Sequence, residues 1–149
     1  MRLFKNYLIS FLLLLICVNC NRLHEKGVLV IDKLPRKINI QEFKDNGYTV
    51  IEKYNHYMLE GYEIRKENAT LKFKDFKFRS DVYSFVGEDR ILDTIILATD
   101  SNTVDMFRHR FASPLWYKVW ENSKLYINDK LRIRFQINAS RDTLMITRY

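Results

Sequence analysis

Two cysteines, three histidines and one Arg/Trp-rich stretch are the side chains best equipped for chemistry in this 149-residue sequence. Cys17 and Cys20 are its only thiols, so the remainder of the chain can form no disulfide and offers no thiol nucleophile. His24, His56 and His109 have no His or Cys neighbour at metal-ligand spacing, and no metal site is expected from them. Asp100, Asn102 and Asp105 resemble a calcium loop only superficially: the turn glycine and the terminal glutamate are missing, and helix capping is the better expectation. No serine sits in a Gly-x-Ser-x-Gly setting, and four glycines make no phosphate loop. Glu88 with Asp89, or Asp93 with Asp100, could do acid–base work only if the fold fixed two carboxyls at a set distance; solvated loop acids are the plainer expectation. No catalytic set and no cofactor are therefore expected. What stands out is Arg108-His109-Arg110 close to Trp116, Tyr117 and Trp120, because Arg and Trp supply large contact area with a polar handle. The rival reading has the tryptophans covering the core beneath a helix, with the arginines solvated. The stripe Lys130, Arg132, Arg134 reads as a solvated sheet face.

The cysteines gain meaning from what precedes them. Arg2 and Lys5, with no acid nearby, lead into the apolar run Tyr7 to Val18, which Asn19, Asn21 and Arg22 end abruptly. Charge followed by an apolar run is a targeting pattern. Twelve residues fall short of the roughly 20 that a membrane-spanning helix needs. With Cys20 immediately after the run, the first 20 residues resemble a bacterial lipoprotein signal, although Asn19 stands where Gly, Ala or Ser is usual and Cys17 where Leu is usual. The resemblance implies cleavage before Cys20, a diacylglyceryl group and an amide-linked acyl chain on that cysteine, and a place in the cell envelope outside the cytoplasm. An ordinary cleaved signal or an uncleaved anchor are the alternatives. In a chain with such a signal, the sequons at Asn68 and Asn138 are accidental.

Removing residues 1–19 takes Arg2 and Lys5 away, so the net charge falls from +7 to +5. That mild excess suits solubility and weak attraction to anionic surfaces, but not nucleic-acid binding, which wants charge and aromatics gathered on one face. Export makes nucleic acid a poor partner in any case. Aromatics at 14% and only four Gly and two Pro leave enough apolar mass for a real core. The organisation expected is residues 1–19 as signal peptide, 20–26 as lipidated tether and 27–149 as one domain.

The elements that must position these residues follow from periodicity. Val28 to Ile31 reads as a strand, and Asn39 with Glu42 as a capping box on a short helical turn ending near Gly47. Alternation from Tyr48, through Tyr57 to Arg65, and on to Ala98 predicts a series of strands. Leu71 and Phe73 conflict in phase with Phe76 and Phe78, which a bulge or turn at Lys74-Asp75 would reconcile. Val104, Phe107 and Phe111 lie at helical spacing behind Ser101 as cap. Ser113-Pro114 reads as a second helix start, with Leu115 and Val119 on one stripe and Trp116 and Trp120 on the next. Leu131, Ile133, Phe135 and Ile137 alternate as a strand that turns at Asn138 to Asp142 into Thr143 to Arg148. The expected class is α+β, predominantly antiparallel sheet, with one or two short helices inserted near residues 102–121. The expected function is a non-enzymatic envelope binding module, an immunity-type inhibitor being one form of it. A small cell-wall or surface-polymer hydrolase and a structural subunit are the rivals.

Overall fold

The computed structural model describes residues 22–53, 60–112, 116–119 and 123–149, of which Lys53 and residues 116–119 are described by backbone alone. The signal segment, Cys20, His56 and Trp120 lie outside the described residues. In chain order the first strands are β1 (His24–Glu25), β2 (Val28–Val30), β3 (Arg36–Lys37), β4 (Thr49–Lys53), β5 (Gly61–Phe73) and β6 (Phe76–Gly87). They are followed by β7 (Ile91–Leu92), β8 (Thr94–Ala98), β9 (Trp116–Val119), β10 (Ser123–Asn128), β11 (Ile133–Asn138) and β12 (Thr143–Arg148). Two α-helices interrupt them, α1 (Ile40–Asp45) and α2 (Ser101–Phe111). Among the described residues the chain is thus mostly antiparallel β-sheet with two short α-helices.

The long hairpin β5–β6 organises the sheet. Its turn at Lys74-Asp75 places Phe76 opposite Phe73 and Phe78 opposite Leu71. Cross-strand partners share a face, so the four side chains meet in the core despite their clash of phase along the sequence. A bulge between Lys66 and Ala69 keeps the distal half in register, with Asn68 at φ +49° and its N–H donated to Asp81 at 2.7 Å. From β6 the sheet runs on through β8, β12, β11, β10 and β9, each pair antiparallel. On the other side of β5, β2 joins in parallel and carries β1, while β4 takes the stretch of β5 nearer Gly61. β3 and β7 form a small separate ribbon.

The inward face is apolar: Leu71, Phe73, Phe78, Val82, Ile95, Leu97, Phe135, Leu144 and Ile146 are all buried. Helix α2 lies on it through Val104, Phe107 and Phe111, the spacing that its sequence displays. Phe107 is the hub, with ring centroids 5.4 Å from Phe73, 4.8 Å from Phe111 and 5.2 Å from Phe135. The cap of α2 is Asp100 rather than Ser101: its carboxylate accepts the Thr103 N–H at 2.9 Å and the Thr103 hydroxyl at 2.7 Å. Those bonds hold the Asp100 carboxyl below the usual carboxylate range. In α1, Asn39 caps as its spacing suggests, accepting the Gln41 N–H at 3.0 Å, but Glu42 turns away to His24 and closes no capping box.

Two boundaries differ from the expectation. No second helix follows Ser113-Pro114; residues 116–119 are a strand, Trp116 opposite Tyr126 and Val119 opposite Ser123. Sheet pairing with β10 outweighs the local helix-start signal. Residues 22–26 are not a free tether either, since Leu23 is fully buried and β1 pairs with β2, so the folded body already includes Leu23 and β1. Polar composition misleads there because a lone leucine and a histidine suffice to seat the segment.

Candidate functional site

The arginine-rich stretch forms the last turn of α2, where cations favour the helix carbonyl end. Arg108 pairs with Asp105 at 3.3 Å, one helical turn back. Arg110 pairs with Asp75 at 2.6 Å and lies over the Phe76 ring at 5.4 Å, fastening α2 to the β5–β6 turn. His109 is exposed. Trp116 begins a strand, and Trp120 lies outside the described residues, so the structure does not assemble these five residues on one helical surface. The two arginines act as local fasteners in the described fold.

The other sequence candidates are spent on local structure. Asp89 accepts the Ile91 N–H at 3.1 Å and Asp100 caps α2, while Asp93 is an exposed acid next to β8. Glu88 stands beside Glu60 instead of forming a pair with Asp89, and its charge and hydrogen bond push the exposed Glu60 carboxyl up. Arg132 and Arg134 lie over the Tyr149 ring at 6.0 and 4.7 Å. Among the described residues no three of His, Cys, Asp and Glu converge as metal ligands would, and no helix is long and apolar enough to cross a membrane.

The feature that sequence reasoning missed lies on the outward face of the sheet. Along β6 the polar and apolar roles are inverted: Ser80 and Ser84 are buried, whereas Tyr83 and Phe85 are 40% and 45% exposed. The inward serines are tolerated because each hydroxyl donates to a β8 carbonyl, Ser80 to Ala98 at 2.9 Å and Ser84 to Thr94 at 2.7 Å. Register then assembles the outward side chains into a row. Arg65 faces Tyr83, Tyr83 faces Ile96, Ile96 faces Met145, Met145 faces Gln136, and Gln136 faces Leu125. A second, shorter row beside it runs Ile51, Glu63, Phe85. Ile96 and Ile51 are each 39% exposed. An aromatic and aliphatic strip on central strands is thus open to solvent, edged by the ion pair of Arg65 with Glu63. The signal in the sequence was the run Val82-Tyr83-Ser84-Phe85-Val86, apolar at odd and even positions alike.

A second surface surrounds the start of the described chain. A cavity of about 840 Å³ is lined by Arg22, His24, Lys26, Lys33, Lys72 and Lys77 together with Glu25, Val28 and Asp75. His24 forms part of its wall and is itself buried, its ring edge-on to Phe43 at 4.8 Å and Tyr48 at 5.2 Å. Glu42 Oε1 accepts the His24 backbone N–H at 2.8 Å and lies 3.1 Å from Nδ1. A carboxylate there selects the tautomer with the proton on Nδ1. Burial pushes the His24 pKa below its ordinary value, an effect that the hydrogen bond and charge of Glu42 oppose.

The chain matches no protein-family model, no curated protein and no solved structure.

Proposed function

We propose that this protein is a lipid-anchored protein of the cell envelope that works by binding another protein through the outward face of its sheet. The anchor is Cys20, on the strength of the signal-like segment before it. The observation that carries the binding role is the exposed strip Tyr83, Phe85 and Ile96. Isolated exposed apolar residues are ordinary, but a contiguous strip rimmed by charge marks an interaction surface. Tyrosine and phenylalanine suit protein recognition because each offers wide contact area with few torsions to immobilise. Strands in the middle of a sheet hold them rigidly, which limits the entropy lost on binding. The Arg108 to Arg110 stretch is a weaker contact surface, since both of its arginines already serve acids of the same chain.

The experiment is site-specific photo-crosslinking in a bacterial host, with the reactive side chain placed in turn at positions 83, 85 and 96 and, as controls, at 67 and 130. One discrete adduct from the sheet positions and none from the controls is the expected result. Equal yields at all positions, or none at the sheet face, would overturn the binding surface. Intact mass tests the anchor separately: a chain beginning at acylated Cys20, lost in Cys20→Ala, is expected, and an unmodified chain retaining Met1 would exclude it.

A further inference from the structure

We infer that the basic cavity at the start of the folded body takes the phosphate headgroups of anionic lipids and seats the domain on the membrane that holds its anchor. The inference rests on the lipid-anchor reading for its geometry.

Five cations line the cavity, Arg22, Lys26, Lys33, Lys72 and Lys77, against two acids, Glu25 and Asp75. Lys33 holds Glu25 at 3.1 Å, and Asp75 is turned to Arg110 at 2.6 Å, outside the cavity. Among the described residues no acid forms an ion pair with Lys26, Lys72 or Lys77, although the Glu25 charge also reaches Lys72; the three lysines are brought together by separate devices. The β1–β2 turn carries Lys26, with φ +51°, and β-pairing sets Lys72 directly opposite Lys77. Two lysines face to face across a strand pair repel each other, and an anion between them removes that cost. The wide mouth and the chemistry suit a phosphate on a surface more than a small enclosed ligand.

Position supplies the occupant. Arg22 follows Cys20 by two residues, a reach of no more than about 7 Å even when extended. A leaflet's polar headgroup layer is about 5–8 Å thick. Acyl chains on Cys20 therefore put Arg22 at the level of the phosphates, and Leu23 and β1 bind the next residues into the fold. With acyl chains already giving firm attachment, the cavity contributes orientation. Strand β6 leads from Lys77 at the cavity to Phe85 on the exposed strip, about 26 Å along the same face of the strand.

The test uses residues 22–149 without lipid, a chain that keeps every described core residue. Sedimentation with vesicles of phosphatidylglycerol and phosphatidylcholine, and of phosphatidylcholine alone, should show binding only to the former, weakening as salt rises. Each lysine near an anionic surface contributes about fivefold in affinity. Lys26→Gln, Lys72→Gln and Lys77→Gln together should then lower binding by about a hundredfold. A second variant with Lys130, Arg132 and Arg141 all changed to Gln removes the same charge elsewhere and should lose far less. Equal losses in the two variants would show a diffuse charge effect and overturn the site, as would equal binding to both vesicle types. Inorganic phosphate should bind only weakly; tight phosphate binding without vesicle binding would identify a soluble anion as ligand and overturn the lipid assignment. This assay needs no acyl group, so its failure leaves the anchor reading standing, and the mass measurement on Cys20 can fail without touching it.

Discussion

Phe107→Ala should cost the fold about 3–5 kcal/mol, whereas Met106→Ala, at the neighbouring position of the same helix, should change it by no more than about 0.5 kcal/mol. Helix α2 has 11 residues, shorter than the roughly 12–15 at which an isolated helix is even marginally stable in water. Its existence depends on what it packs against. Phe107 is fully buried and Met106 is 49% exposed. Removing the Phe107 ring forfeits about 1.5–3 kcal/mol of transfer free energy. The rings of Phe73, Phe111 and Phe135 are left facing a void, and their lost edge and face contacts bring the total into the stated range. Total stability of a domain is about 5–15 kcal/mol, so the variant stays folded but only just. Urea unfolding followed by tryptophan fluorescence reads the difference directly. With a slope near 2 kcal/mol per molar, the midpoint should drop by about 2 M for Phe107→Ala and hardly move for Met106→Ala. A loss below about 1.5 kcal/mol, or one matched by Met106→Ala, would refute the seating of α2 on this cluster.

His24 has a depressed pKa in the fold, so below its ordinary pKa of 6.5 the unfolded chain binds a proton that the folded chain refuses. Its contribution is therefore complete above pH 6.5 and is lost progressively as pH falls from there through the lower pKa of the fold; His24→Gln should flatten this part of a stability-versus-pH profile, and an unchanged slope would exclude His24 as its source. Asp100→Ala should cost about 1 kcal/mol through loss of the α2 cap, while Asp100→Asn should recover most of it; thermal melts of both, with no loss in the alanine variant, would show the cap to be idle. Tyr83→Ser with Phe85→Ser should leave the melting temperature nearly unchanged and abolish the partner adduct; a large drop in melting temperature would mean that the strip supports the fold instead.

How far the sequence revealed this depends on where each element's determinants lie. The C-terminal hairpin was legible because Ile133, Phe135 and Ile137 are buried at period two and Asn138 ties its own turn, accepting the Asp142 and Thr143 N–H groups at 3.1 Å each. The β5–β6 turn was legible for the opposite reason, since a conflict of phase between Phe73 and Phe76 has few remedies. Trp116 to Val119 was misread as helix because Ser113-Pro114 is a strong local start signal, whereas the strand is specified by Ser123 to Tyr126, which no window around Trp116 contains. The exposed strip was hidden because strand Val82 to Val86 carries apolar residues on both faces, and the buried serines that break the pattern find their partners on β8. The cavity drew its lysines from two stretches, 22–33 and 72–77, far apart along the chain, so spacing between them gave no hint of it.

The pairing of β1 with β2 also makes the start of the folded body a mechanical element. Two residue pairs, His24 with Leu29 and Glu25 with Val28, and the Val30 N–H donated to the Leu23 carbonyl at 2.9 Å join these segments into a hairpin closed at Lys26-Gly27. Tension applied through the residues before Arg22 would open those pairs one after another like a zip, the weak loading direction, instead of shearing them together. The grip that resists it is Leu23 in the core and the Glu42 carboxylate on His24. A pull through the residues before Arg22 would therefore lengthen that segment by a few residues first, leaving the β5–β6 hairpin and its exposed strip intact under load.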